Sequence, residues 1–383
     1  YVLREMQDPK GGFYSSQDAD SDGEEGKFFV WTPDQMEEIL GSKRSLVLQR
    51  YFGVTEEGNF EGSNILHTPH GIKDIAQDLG LEPMEVLAEV KIGKAALFQA
   101  RCERVPPETD TKVLTSWNGL MLSALARGAA ILKREDYLQA AIANASFILQ
   151  NMHHGQRLLR SYRDSEARLK GYLEDYACLT DGLLSLYEAT FDSAWLREAQ
   201  TLTRQMIELF WKESDGIFYD TGYDHEALLI RPRGIGDNAM PCGGSMAADV
   251  ILRLGAFLGD NAYTQVAVSA MRSVQGYMIR APEAVSHWIG ALDFYLSSPA
   301  EIAVVGPLKD TATQSLLDCI HQRYLPNKVL AGFNPLEADV YLDIPLLEDK
   351  YMRNGVPTAF VCQNYVCQQP VIDPDSLAQQ LDR

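Results

Sequence analysis

The feature that most limits what this chain can become is a repeat of paired helices. "SWNGLMLSALARGAAILK" carries apolar residues at helical spacing, with Ser116 placed to cap its start, and "REDYLQAAIANASFILQNMH" follows at once. "LEDYACLTDGLLSLYEAT" with "DSAWLREAQTLTRQMIELFW", and "GGSMAADVILRLGAFLG" with "NAYTQVAVSAMRSVQGYMI", repeat the pairing, and "EAVSHWIGALDFYL" begins a fourth unit. Asn118 and Asp175 lie 57 positions apart, and Asp175 and Asn238 lie 63 apart. Such a period signals helical hairpins that bury their apolar faces on one another. They must therefore form a long array or close into a ring.

The connections repeat too. "GGFYSSQDADSDGEEGKFFVWT", "RLLRSYRDSEARLKGYLED" and "GIFYDTGYDHEALLIRPRG" each alternate apolar and polar residues around a polar tip, the pattern of a short β-hairpin. If alternate helices form an inner ring, these hairpins and the inner-helix starts gather on one rim. From Pro299 the pattern changes. "AEIAVVG", "KVLAGF" and "TAFVC" read as short buried strands, with "TATQSLLDCIHQRY" helical between the first two. The expected organisation is a mainly α toroid of hairpins over residues 1–298 and a small α/β appendage over 299–383.

Charge narrows the choice of partners. With 34 basic against 53 acidic residues, the net charge is -19. Such a surface repels phosphate backbones and anionic membranes, which argues against nucleic-acid and membrane partners. No apolar run approaches the roughly 20 residues of a membrane helix. "YVLREMQDPKGGF" reads as a helix end and a turn, not a signal peptide, and the start at Tyr1 suits a fragment or a processed chain. Six cysteines over 383 residues do not suggest a disulfide framework, so a reducing cytoplasm is expected. Cys362 and Cys367, spaced C-x4-C, read as two largely buried strand thiols; a redox role for them is the second reading.

"QDADSDGEEG" gathers five carboxylates in ten residues. Asp18, Asp20, Asp22 and Gly23 fit the opening of a calcium loop, but its twelfth position is Phe29, where the bidentate Glu belongs. A solvated hairpin tip and a sugar-binding edge of the toroid are the other readings. No metal or cofactor is expected. G-x-S-x-G is absent, and with it any support for esterase chemistry.

"YVLREM", "GGFYSSQDADSDGEEGKFFVW", "GNFEGSNIL", "DTKVLTSWNGLM", "EDYA" and "TAFVCQNYVCQQP" occur in this order along nearly the whole chain. Together they resemble the thioredoxin-domain-containing, spermatogenesis-associated protein 20-like family. That resemblance implies an (α/α)6 toroid similar to six-hairpin glycosidases and N-acylglucosamine 2-epimerases. It also implies a thioredoxin-like domain as a partner, one that this chain lacks along with the first toroid helices. Cys242 and Gly244 stand where the family usually shows a Ser-Gly-Asn type turn.

The functional expectation is a carbohydrate-handling rim, with a non-catalytic scaffold as the alternative. Sugar sites pair an aromatic platform with groups that both donate and accept. Lys112, Trp117 and Asn118 at one inner-helix start meet that need, as do Glu174 and Tyr176 at the next and Asn238 at the third. Asp18, Asp20, Trp31, His287 and Trp288 complete the expected binding set. Asp110, Asp175 and Asp237 are the expected catalytic acids, since a glycosidase needs two carboxylates flanking the bond. Helix capping explains the same acids equally well. An epimerase would instead need two facing bases, for which His67 and His287 are the best pair among seven histidines.

Overall fold

The computed structural model describes residues 1–336 and 344–382. It divides into two compact units: residues 16–111 form one, and residues 1–15 with 112–383 form the other. The sequence reading placed its only boundary at 298/299, whereas these units meet at 15/16 and 111/112. The chain opens with α1 (Val2–Glu5) and β1 (Tyr14–Gln17).

Residues 16–111 carry β2 (Asp20–Ser21), β3 (Glu24–Glu25), α2 (Pro33–Leu40), α3 (Ser42–Phe52), α4 (Ile72–Leu79) and α5 (Pro83–Cys102). These four helices were not anticipated, although their punctuation is legible. Thr32 and Gln35 form a capping box with Pro33 at the first helical position, and Gly53 and Gly80 end α3 and α4 in the left-handed conformation. Their core centres on Met36, Leu48, Ile75 and Val86. The acidic stretch is the hairpin β2–β3, turning at Asp22 and Gly23, both at positive φ. Lys27 pairs with Asp22 and Glu24 there. Trp31 is buried beneath the Arg104 guanidinium, which stands 3.9 Å from its ring centre. Arg104 also donates to the Lys27, Phe28 and Val30 carbonyls. That places Trp31 in a packed interior.

After β4 (Thr109–Leu114) come α6 (Thr115–Leu132) and α7 (Glu135–Asn151). Next are β5 (His153–His154), β6 (Arg157–Arg163), β7 (Glu166–Lys170), α8 (Leu173–Thr190) and α9 (Ser193–Phe210). Then follow β8 (Trp211–Lys212), β9 (Ile217–Phe218), α10 (Gly243–Leu258), α11 (Asn261–Arg272), α12 (Gln275–Arg280) and α13 (Ser286–Leu296). Helices α6, α8, α10 and α13 pack in succession as the inner layer of a hairpin toroid. Burial explains the layering. Helix α8 is buried almost all round from Leu173 to Tyr187, whereas α9 buries one stripe through Leu196, Ala199, Leu202, Met206 and Phe210. The α6–α8 crossing is close because Gly119 faces the backbone of Cys178 and Gly182 faces the Gly119 carbonyl.

Three local expectations change. Ser116 lies inside α6, whose N-cap is Leu114 without a side-chain cap bond. The hairpin β6–β7 forms as read, turning at Asp164 and Ser165, but the third hairpin pairs Trp211–Lys212 with Ile217–Phe218. Residues 219–242 are therefore irregular and lie over the start of α10. Cys362 and Cys367, read as thiols, form a disulfide.

The strands and the helix expected after Pro299 form, within the same unit as the toroid helices. Strand β10 (Ala300–Val305) runs parallel to β11 (Lys328–Phe333) through α14 (Thr311–His321). β12 (Thr358–Gln363) and β13 (Val366–Cys367) follow in sheet order β11-β10-β12-β13, and α15 (Pro374–Leu381) closes the chain. Its core is Ile302, Leu316, Ile320, Leu330 and Val361. The disulfide joins directly opposed residues of β12 and β13, five positions apart in sequence. Because so short a loop restricts the unfolded chain little, Cys367→Ser is expected to cost at most about 2 kcal/mol. Denaturation with and without a thiol reductant measures it; a much larger loss would mean that the bond holds native structure directly.

Among the described residues no helix is long and apolar enough to cross a membrane. Among the same residues no group of three or more His, Cys, Asp and Glu side chains is placed to hold a metal ion.

Candidate functional site at the inner-helix starts

Asp175 occupies the first turn of α8 and is fully buried. One oxygen accepts from the Ser116 amide at 3.0 Å, so it ties the start of α6 to that of α8. The other accepts from the Tyr172 amide at 2.9 Å and from Arg160 at 3.1 Å. Burial pushes its pKa up to about 6, against the pull of Arg160 and the amides. Asp237 works in the same manner one hairpin on. It accepts from the Cys242 amide at 2.9 Å, the Ser245 hydroxyl at 2.7 Å and, with its other oxygen, the His287 amide at 2.8 Å. It thereby joins the starts of α10 and α13. Every oxygen of these two carboxylates already has a donor.

Asn118 is equally committed. Its carbonyl accepts from the Phe13 amide and from Asn144, and its amide donates to the Phe13 and Leu114 carbonyls. The Tyr176 hydroxyl accepts from Arg157 and from the Leu158 amide. Trp288 is buried and donates to the Ile235 carbonyl. Trp117, by contrast, is exposed in the first turn of α6, and Asn238 is exposed just before α10. Lys112 is exposed on β4. Asp18, Asp20, Trp31, His67 and Asp110 belong to residues 16–111, with Asp18 and Asp20 exposed and Asp110 half-buried.

Glu174 points elsewhere from its neighbour Asp175. It accepts from Arg160 at 2.7 Å and lines a cavity of about 340 Å³ with Tyr172, Asp220, Thr221 and Gly243. Residues 219–242 supply the far wall through Leu228 and Pro232. Asp220 is set by two local bonds: its carbonyl accepts from the Leu173 amide, and its carboxylate accepts from the Gly234 amide at 2.7 Å. Burial raises its pKa, the Gly234 amide opposes that rise, and the charge of Glu174 adds to it. Tyr172 is sandwiched between the His225 ring, stacked at 5.2 Å, and the Arg160 guanidinium, 4.7 Å from its centre. Two carboxylates and an aromatic ring thus share one opening.

Asp220, Tyr172 and Arg160 were not singled out from the sequence. Arg160 was legible as the one charged residue on the strand face that Leu158 and Tyr162 bury in "RLLRSYR". Asp220 was hidden because its position depends on where the third hairpin pairs.

A second, larger cavity of about 640 Å³ lies among the inner helices, where Asp181, Asp249, Arg253 and His287 meet. Of the expected site residues, only His287 lines it.

The fold and its rim define a hairpin-toroid protein with an acidic and aromatic pocket at the inner-helix starts. Spermatogenesis-associated protein 20 of Homo sapiens is 32% identical over the whole chain, which covers 53% of that protein. The Mus musculus protein is 31% identical with the same coverage, and an uncharacterized protein of Caenorhabditis elegans is 27% identical over 96% of the chain and 54% of its own length. The chain is similar to these proteins and spans about half their length. No protein-family model matches it. Among solved structures, a GH76 alpha-mannanase of Bacteroides thetaiotaomicron overlaps 57% of each chain at TM-score 0.40 and 15% identity. A sugar epimerase from a ruminal bacterium overlaps 71% of this chain and 67% of its own at TM-score 0.38 and 13% identity.

Proposed function

We propose that the rim pocket binds a carbohydrate and that Glu174 and Asp220 are its acid–base pair. The observation that carries this is their shared opening. Asp220 is pushed toward its protonated form while Glu174 rests on Arg160. Paired carboxylates whose surroundings differ in this way suit glycoside hydrolysis. Asp220 gives its proton to the leaving glycosidic oxygen as the C–O bond breaks. Glu174 takes a proton from the water that adds to the anomeric carbon, and the water oxygen forms the new bond. Tyr172 lines the same cavity and offers the apolar edge of its ring to the sugar. In this reading Asp175 and Asp237 are positioning residues, which hold the rim through backbone amides.

One observation favours the scaffold reading: Asp175, Asp237 and Asn118 are saturated by the protein itself. In that reading the rim serves a partner, such as a thioredoxin-like domain.

Calorimetry with a panel of glucose, mannose and N-acetylglucosamine mono- and disaccharides separates the two readings. The enzyme reading expects binding, and turnover that falls about 10²- to 10⁴-fold in Glu174→Gln and in Asp220→Asn while the fold is retained. No binding across the panel leaves the scaffold.

A further inference from the structure

The larger cavity holds a carboxylate that none of its own donors serves. Arg127 and Arg253 reach into it from α6 and α10, and Asp181, Glu188 and Asp249 face them from α8 and α10. Asp181 accepts from Arg127 at 2.9 Å and from Arg253 at 2.5 Å, and Arg253 lies 3.5 Å from Glu188. The other Glu188 oxygen accepts from the Leu330 amide. Arg127 spends a further N–H on Ser185. Two guanidiniums therefore serve two carboxylates, the Asn327 side-chain amide serves a third, Asp293, at 2.7 Å, and one carboxylate remains.

That group is Asp249. Among the described residues it makes no hydrogen bond or ion pair, although it is half-buried at the cavity wall. The groups whose charges it feels are Arg253 on its own helix, Asp181 on α8, Arg127 on α6 and His287 on α13. Nε2 of His287 is buried and also lacks a partner. Of the cations nearer the appendage, Arg323 is engaged by Asp382, and Lys328 pairs with none of the four lining carboxylates. Burial moves Asp249 toward its protonated form, as expected for an uncompensated carboxylate.

We propose that this cavity binds a small primary-ammonium compound, its cation seated on Asp249 and turned toward Nε2 of His287. An ammonium gives Asp249 the bonded cation that it lacks and has three N–H donors to divide between these acceptors. A neutral polyol supplies donors without the charge, and an anion meets the unpaired Asp249 carboxylate. This site is separate from the Glu174–Asp220 pocket and does not depend on its chemistry.

Ethanolammonium is the probe, titrated against the intact protein by calorimetry and by NMR, with ethylene glycol as its uncharged counterpart. Saturable binding of ethanolammonium is expected, with ethylene glycol much weaker. Asp249→Asn, which keeps the shape and removes the charge, is expected to weaken it roughly 10- to 100-fold. Glu174→Gln is expected to leave it unchanged. Equal binding of the two probes, or no saturable binding of either, overturns the proposal. So does ethanolammonium binding that survives Asp249→Asn but is lost in Glu174→Gln, which would assign the amine to the rim. The probe comparison needs only the wild-type protein, so the proposal stays testable if a variant fails to fold.

Discussion

Asp175→Ala is expected to destabilise the protein by about 3 kcal/mol and to lower its urea midpoint without changing the slope. The loss comes from the Ser116 and Tyr172 amides, which would be left without their acceptor at the starts of α6 and α8. Arg160 keeps Glu174, so the charge left behind is not isolated. The pH dependence separates this from a simple lost ion pair. Folding raises the Asp175 pKa from 3.8 to about 6, so between those values the folded protein binds more protons than the unfolded chain. Its contribution to stability is full below about pH 4 and is lost as pH rises through about 6, an effect of at most about 3 kcal/mol. Asp175→Asn does not titrate. Its deficit relative to wild type should therefore narrow between pH 4 and pH 7. A deficit that widens over that range would show that Arg160 and the amides hold the carboxylate ionised.

Gly119→Ala is the second large effect. A Cβ there would stand 2.5 Å from the Cys178 carbonyl oxygen and the Leu179 amide nitrogen. Both are backbone atoms inside α8, so no rotamer change can relieve the clash. The two helices must move apart, and the apolar side chains of Leu122, Leu179 and Leu183 between them lose contact. Overpacking of this kind costs about 1–3 kcal/mol, and a backbone neighbour places it at the top of that range. Gly119→Val should be worse, and Gly128→Ala, near only the Tyr137 ring, should be nearly neutral. Denaturation of the three variants measures this, and a neutral Gly119→Ala would mean that the crossing is looser than described.

These two residues show how far the sequence could be read. The hairpin period was visible because inner and outer helices bury different fractions of their surface, and burial is written in residue type. The appendage was visible because fully buried strands such as "AEIAVV" are continuous apolar runs. The rim was harder. Asp175 and Asp237 sit where an acid favours a helix start, and sequence cannot say whether such a carboxylate faces a cavity or a neighbouring amide. Glu174 and Asp175 are adjacent yet do opposite things, since successive helical residues point about 100° apart. In "SWNGLM" the chemistry is carried by Trp117 and Asn118, while the task of Gly119, letting two backbones approach, leaves no chemical mark. The four helices of residues 16–111 carry legible caps, but they lack the hairpin repeat that marks the toroid helices.

The bonds between inner-helix starts also bear on how the molecule is made. A chain emerging from the ribosome presents its N-terminal segments first. The Ser116 amide must then wait for Asp175, 59 residues behind it, and the Phe13 backbone must wait for Asn118, 105 residues behind. Each nascent hairpin is born with part of its backbone unsatisfied, and its successor completes it.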